Sequence, residues 1–221
     1  MYLSAVILAA GKGVRLGSKV SKPLIRVGGT EVLMYSLRVL HAHSQVKEIV
    51  VVVNEGNFEA IKKLLARYSK VRAIVLGGKQ RQDSVRLGLA VVGEKADFVL
   101  VHDAARPFIN KNLLSALIRK AVEVGGAILA VPVKATIKKV MRTYIEETIP
   151  RDLLWEAQTP QVFRKSWLLE AYARFRNRKV TDDAALIELL GNRVAVVMGS
   201  YGNIKITTPE DFLIARSLVR F

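Results

Sequence analysis

The residues best placed to do chemistry lie near the N-terminus. The stretch "LAAGKGVRLGSKVSKPL", 8–24, follows the apolar run "YLSAVIL" and carries Gly11, Gly13 and Gly17, the cations Lys12, Arg15, Lys19 and Lys22, and no acid. A glycine-rich turn at the end of a first parallel strand lets backbone N–H groups approach phosphate oxygens, and a helix N-terminus can add its partial positive charge. A charge run is more often a solvated face. Here the glycines, the absence of acids and the strand-end position favour polyphosphate binding. Four side-chain cations suit a triphosphate whose charge must be neutralised while it reacts.

Two familiar phosphate loops do not fit. Gly-x-x-x-x-Gly-Lys-Ser/Thr cannot be placed at Gly11, Gly13 or Gly77. The dinucleotide fingerprint lacks its third glycine, because position 16 is leucine. Two further segments fall after apolar runs, where ligands of such sheets bind. "LGGKQRQDSV" offers Gly77, Gly78 and the Ser84 hydroxyl, and "HDAARP" places Asp103 at a strand end. A lone aspartate there is often a cap or turn former, but beside a triphosphate it is a natural Mg²⁺ ligand. His102, His41 and His43 read as structural, since no histidine pair has metal-ligand spacing and no serine–histidine elbow is present.

The elements that must position these residues follow from the apolar pattern. Runs at 2–8, 47–53, 71–76, 97–102 and 126–133 read as strands, several continuously apolar as in a sheet covered on both faces. Leu33, Leu37 and Leu40 predict one helix. Phe58, Ile61, Leu65 and Tyr68 predict a second, and 110–124 a third, with Asn110 as N-cap and Gly125-Gly126 as stop. Strand–helix alternation implies a mainly parallel sheet with right-handed crossovers. Residues 134–151 break the rhythm and read as an inserted β-hairpin, either a surface decoration or an arm that pairs with a second subunit. After it, "SWLLEAYARF" predicts a helix, "TDDAALIELLG" a helix capped by Thr181, "RVAVVMG" a strand and "NIKIT" a short strand. "TPEDFLIARSLV" predicts a last helix with Thr208 as N-cap.

Composition bounds the function. The chain has 221 residues and 51% hydrophobic content, and its 35 Lys and Arg against 19 acids give a formal charge of +16. That balance points to anionic partners: phosphorylated metabolites, nucleotides or nucleic acid. The absence of cysteine excludes disulfides, thiolate metal sites and cysteine nucleophiles. No basic leader with an apolar core and no span of about 20 apolar residues is visible, so a cytoplasmic protein is expected.

Taken together, the motifs resemble a known family. The first loop is similar to the signature of nucleotidyltransferases that activate sugars and sugar phosphates. With "GGKQRQDSV", "VHDAARP", "LWEAQTPQVF", "TDDA" and "GSYGNIKITTPED", the chain resembles the 2-C-methyl-D-erythritol 4-phosphate cytidylyltransferases from end to end. The resemblance implies a single Rossmann-like α/β domain over 1–221 with an inserted arm at 134–153, and a homodimer interlocked through that arm. It implies Mg²⁺-dependent transfer of CMP from CTP to methylerythritol 4-phosphate, with pyrophosphate as leaving group. By position, Arg15 and Lys22 match the pair that stabilises the transition state, and Arg151 and Lys205 match the residues that hold the acceptor phosphate. Ala9, Ala10, Gly11, Gly77, Lys79, Ser84 and Thr159 match the CTP pocket. Asp103 matches the metal-proximal aspartate, Asp103 and Arg106 are expected among the substrate-binding residues, and Thr136 matches a contact made from the neighbouring subunit.

Such chemistry needs no general base, because a phosphate monoester oxygen is already anionic near neutral pH. It needs charge neutralisation and in-line alignment. A ribitol 5-phosphate cytidylyltransferase would carry nearly the same motifs. A basic nucleic-acid-binding protein is a reading from another class, but no arginine-rich repeat, stacking-aromatic motif or basic recognition helix supports it. No nucleic-acid or membrane partner is expected.

Overall fold

The computed structural model describes residues 1–11 and 21–219. Lys12, Gly13, Arg15, Gly17 and Lys19 of the glycine loop lie outside the described residues. The chain begins with β1 (Leu3–Ala9), and after a 3₁₀ turn at Lys22–Leu24 forms a small ribbon, β2 (Arg26–Val27) and β3 (Thr30–Glu31). Then follow α1 (Val32–Ala42), β4 (Val46–Val53), α2 (Phe58–Leu65), β5 (Val71–Leu76), α3 (Arg81–Leu89), β6 (Phe98–Asp103), α4 (Lys111–Val124) and β7 (Gly126–Pro132). The hairpin β8 (Ile137–Met141) and β9 (Tyr144–Ile149) leads into β10 (Trp155–Arg164), α5 (Lys165–Arg174), α6 (Asp183–Leu189), β11 (Ala195–Met198) and α7 (Pro209–Leu218).

Seven strands form one sheet in the order β11-β7-β10-β6-β1-β4-β5. All its pairings are parallel except those of β10, which runs antiparallel to both β6 and β7. The five apolar runs are the strands expected, and β1, β4 and β6 are buried along nearly their whole length. One face carries Leu33, Leu37 and Leu114 from the helices against Ile7, Ile49 and Leu100. The other carries Val85, Leu168 and Leu186 against Val6, Val50 and Val101. Truncating such a residue to alanine costs about 2–5 kcal/mol.

Several expectations are corrected. Helix α2 stops at Leu65, short of Tyr68, whose N–H instead closes a turn on Leu65 O. The N-cap of α6 is Asp182, not Thr181, because its carboxylate accepts from Ala185 N. "NIKIT" forms no strand: Ile206 N bonds Ala105 O at 2.8 Å and its side chain packs with Val27, Val32 and Ala215. The extended alternation there buries Ile206 and leaves neighbouring Lys205 facing the other way. The 3₁₀ turn, the β2–β3 ribbon, helix α3 and strand β10 were not expected. Helix α3 lacks a continuous apolar stripe and contains Gly88, where a Cβ would stand 2.6 Å from Val6 Cγ1. Strand β10 contains Pro160, which disfavours an interior strand. Its register slips between Gln158 and Gln161, the segment that holds the cis Thr159–Pro160 peptide.

Strand order places the crevice. From β1 the chain runs outward to β4 and β5, then returns to the other side of β1 with β6. Such a reversal leaves an open crevice at the carboxyl ends of the strands. In register, Asp103 at the end of β6 stands beside Leu8, and Ala9 beside Val53.

Candidate active site

A cavity of about 790 Å³ opens at this crevice. Its walls come from Ala10 and Gly11 after β1, Lys22, the Gly77–Arg81 segment with Ser84, Asp103, and Lys205. Local chemistry builds each wall. Asn54 and Asn57 exchange a reciprocal capping box after β4, and their amides reach Ala10 O and Ala9 O, each at 3.2 Å. Asn57 Nδ2 also donates to Ser21 Oγ at 2.8 Å, so two asparagines pin the described residues on both sides of 12–20. Gly77 is required by crowding: a Cβ there would lie 2.7 Å from both Ala10 Cβ and Ser84 Oγ. Ser84 Oγ accepts from Gly78 N at 3.2 Å and donates to Gln80 O, tying the turn to the start of α3.

Charge is concentrated around Asp103. Arg81 Nε donates to Asp103 Oδ1 at 3.0 Å, and Lys205 Nζ donates to Oδ2 at 2.6 Å. Burial alone would raise the Asp103 pKa, but Arg81 and then Lys205 outweigh it and hold the carboxyl well below the usual range. His102 is fully buried, with Nδ1 3.2 Å from Thr159 Oγ1 and Nε2 3.0 Å from Arg106 O. Burial pushes its pKa down to about 4 against the opposing pull of Asp103, so it is neutral. The histidine is structural, as its sequence context suggests.

The remaining expected site residues divide cleanly. Lys22, Ala10, Gly11, Gly77, Lys79, Ser84, Asp103 and Lys205 share the cavity. Ala9 is buried just behind it. Thr159 also stands behind it, supporting Asp103 through its hydroxyl. Arg106 is buried too, with Nη1 donating to Asn203 O at 2.8 Å and Nη2 to Ala157 O at 3.4 Å. Thr136 and Arg151 are exposed at the base of the β8–β9 hairpin and are not among the cavity's lining residues. Arg151 Nη1 donates to Lys134 O across that base. Sequence reasoning did not single out Asn54, Asn57, Arg81 or Asp183. Asn54 carried a signal, a capping residue directly after an apolar run; the Arg81–Asp183 contact spans the sequence and left none.

Among the described residues, no three His, Cys, Asp or Glu side chains form a group able to hold a metal ion. Asp103 is a single carboxylate with both oxygens engaged by cations. That donor set does not fit a resident metal.

The comparisons with known proteins agree with this geometry. The model of the 2-C-methyl-D-erythritol 4-phosphate cytidylyltransferase family matches residues 3–220. The enzyme of that name from Bacillus pumilus is 44% identical over 225 residues, covering 99% of this chain and 97% of the relative. Its counterpart from Bacillus licheniformis is 44% identical over 223 residues, covering 99% and 96%. Among solved structures, the 4-diphosphocytidyl-2C-methyl-D-erythritol synthase from Anaerococcus prevotii superposes with a TM-score of 0.89 at 34% identity, over 100% of this chain and 96% of that one. The Thermus thermophilus enzyme gives 0.82 at 30% identity, over 98% of each. Matched from end to end, with a cavity of glycine backbone and cations at the strand switch, this chain belongs to the 2-C-methyl-D-erythritol 4-phosphate cytidylyltransferase family.

Proposed function

We infer that the cavity transfers CMP from CTP to 2-C-methyl-D-erythritol 4-phosphate, releasing pyrophosphate, a step of isoprenoid precursor synthesis. The observation that carries the reading is the Arg81–Asp103–Lys205 cluster beside the Ala10–Gly11 and Gly77–Gly78 backbone, in a chain of this family. An acceptor phosphate oxygen attacks the α-phosphorus of CTP. The new P–O bond forms as the bond to the bridging α,β-oxygen breaks, and that oxygen leaves on pyrophosphate with the electron pair. No proton need move, which accords with a neutral, buried His102.

Each cation has a role in this reading. Arg15 and Lys22 neutralise the α-phosphate and the leaving group. Lys205 and Arg151 hold the acceptor phosphate, and Ala9, Ala10 and Gly11 with Gly77, Lys79 and Ser84 seat the nucleotide. Thr159 and Arg106 stiffen the wall behind Asp103. Asp103 would face a Mg²⁺ ion carried on the triphosphate, which when bound would supply neutralisation of its charge. Thr136 and Arg151 stand outside their own chain's cavity, which supports a homodimer in which the β8–β9 arm carries them to a neighbour. Among the described residues no helix is long and apolar enough to cross a membrane, in keeping with a cytoplasmic enzyme.

The test is pyrophosphate release with purified protein, Mg²⁺ and CTP, comparing methylerythritol 4-phosphate, ribitol 5-phosphate and no acceptor. Release with methylerythritol 4-phosphate is expected. Release with ribitol 5-phosphate alone would keep the reaction type and reassign the acceptor. Silence with both would overturn the reading.

A further inference from the structure

The charge cluster continues beneath the cavity wall. Arg81, the first residue of α3, also places Nη2 2.9 Å from Asp183 Oδ2. Asp183 is the first residue of α6 and is 0% exposed, and its other oxygen accepts from the Tyr172 hydroxyl. Burial opposes the Arg81 charge, but Asp183 and Asp103 overcome it and raise its pKa, so this guanidinium stays charged. Burial and the neighbouring Asp183 raise the Tyr172 pKa as well, keeping its hydroxyl a donor. The two cations on Asp103 are therefore unlike. Arg81 is a planar fork fixed at both ends between two carboxylates. Lys205 is a point charge on a flexible stem, its side chain 40% exposed at the cavity.

An entering phosphate dianion tests that difference. It competes with Asp103 for the Lys205 ammonium. Were Lys205 the carboxylate's only partner, its departure would leave a buried charge uncompensated, which is strongly unfavourable. Arg81 cannot follow, because Asp183 holds its other edge, so Asp103 keeps a counter-charge throughout. We propose that Arg81, anchored by Asp183, is a positioning residue that holds Asp103 so that Lys205 can pass from that carboxylate to the acceptor phosphate. The proposal rests on the reading above in which Lys205 holds that phosphate.

Arg81→Lys keeps the charge, but one ammonium does not reproduce the fork that spans both carboxylates. Asp183→Asn keeps a partner for Tyr172 and removes the anchoring charge. Both are compared with Lys205→Ala and with the double variant Arg81→Lys/Lys205→Ala. The readouts are kcat and KM for methylerythritol 4-phosphate, and calorimetric binding of Mg·CTP without acceptor. Arg81→Lys and Asp183→Asn are each expected to raise the acceptor KM about tenfold with Mg·CTP affinity unchanged, and Arg81→Lys to add little once Lys205 is gone. A merely structural role would not produce that non-additivity, and either single variant suffices if the other fails to fold. Fully multiplicative losses, an unchanged acceptor KM in the Arg81 and Asp183 variants, or an equal loss of Mg·CTP affinity would overturn the proposal alone. An unchanged acceptor KM in Lys205→Ala would overturn the assignment of Lys205, and the proposal with it.

Discussion

The backbone N–H of Asp103 donates to Thr159 Oγ1 at 3.0 Å, so the carboxylate at the end of β6 is held from behind by the neighbouring strand β10. Accepting that bond leaves the threonine proton for His102 Nδ1, 3.2 Å away. His102 Nε2–H then donates to Arg106 O at 3.0 Å. One hydroxyl thus fixes both a histidine tautomer and the end of the strand that carries Asp103.

Thr159→Val keeps the shape and deletes the hydroxyl. It leaves the Asp103 N–H and His102 Nδ1 buried without that partner, a loss of about 1–3 kcal/mol. Thr159→Ser restores the oxygen and is expected to recover most of the stability and turnover. Denaturant unfolding of the pair measures the difference, and a Thr159→Val protein as stable as the parent would contradict the role given to the hydroxyl.

Lys22 and Lys79 line the same cavity, but Lys79 is exposed at its edge whereas Lys22 is partly buried. If Lys22 acts on charge developing in the transition state, Lys22→Ala loses on the order of 10²–10³ in kcat, by analogy with removal of an oxyanion donor. Lys79→Ala, deleting a solvent-screened charge, is expected to change kcat by less than about tenfold. Unaltered thermal unfolding would attribute the Lys22 loss to chemistry. Turnover of Lys22→Ala near the parent level would remove the residue from the catalytic set.

Much of this was readable from residue pattern because the parallel strands are buried on both faces. Apolar runs such as "KEIVVVV" therefore announce themselves, and Asn110 and Thr208 cap helices through local side-chain bonds that sequence encodes directly. Strand β10 was hidden by Pro160, which its register break accommodates. "NIKIT" looked like a strand because its alternation is real, but the alternation separates a buried Ile206 from Lys205 at the cavity without any sheet partner. For the site, the glycines, Lys22, Asp103 and Lys205 stood out as motif residues. Arg81 and Asp183 did not, because a contact between residues 102 positions apart is a property of the packed fold.

Away from the cavity, His43 carries a pH dependence of stability. It is 3% exposed, with Nδ1 3.4 Å from the Gln45 N–H and Nε2 3.0 Å from Ser115 Oγ, an arrangement that suits the neutral ring. Burial, and then Lys111 and Lys70, lower its pKa below the ordinary value of 6.5. The unfolded chain therefore binds the proton first. The stabilisation is fully present above the unfolded pKa and is lost as pH falls through the depressed folded value. His102, lowered to about 4, contributes a slope of the same sign, so the comparison must be between variants. The thermal midpoint is expected to drop between about pH 7.5 and about pH 5, and less steeply in His43→Gln. Equal slopes would show that His43 does not titrate differently on unfolding.

The β8–β9 arm gives the prediction with the widest reach. Among the described residues its strands pair only with each other, and an isolated two-stranded ribbon is marginal in water. Its base is fixed: Lys134 Nζ sits 3.5 Å above the Tyr201 ring, and Tyr201 Oη donates to Pro132 O at 2.7 Å. Its tip exposes the cross-strand pairs Val140–Ile145 and Met141–Tyr144, one on each face of the ribbon, apolar surface that water does not favour. If two arms interlock, Tyr144→Asp/Ile145→Asp sediments as a monomer while the parent sediments as a dimer. Because Thr136 and Arg151 lie on the arm and outside their own cavity, the monomer is also expected to lose acceptor-dependent kcat/KM by more than about tenfold while binding Mg·CTP as before. A parent protein that is monomeric and fully active would refute the arm's role. A monomeric variant with normal acceptor kinetics would confine the arm to assembly and return the acceptor site to a single chain.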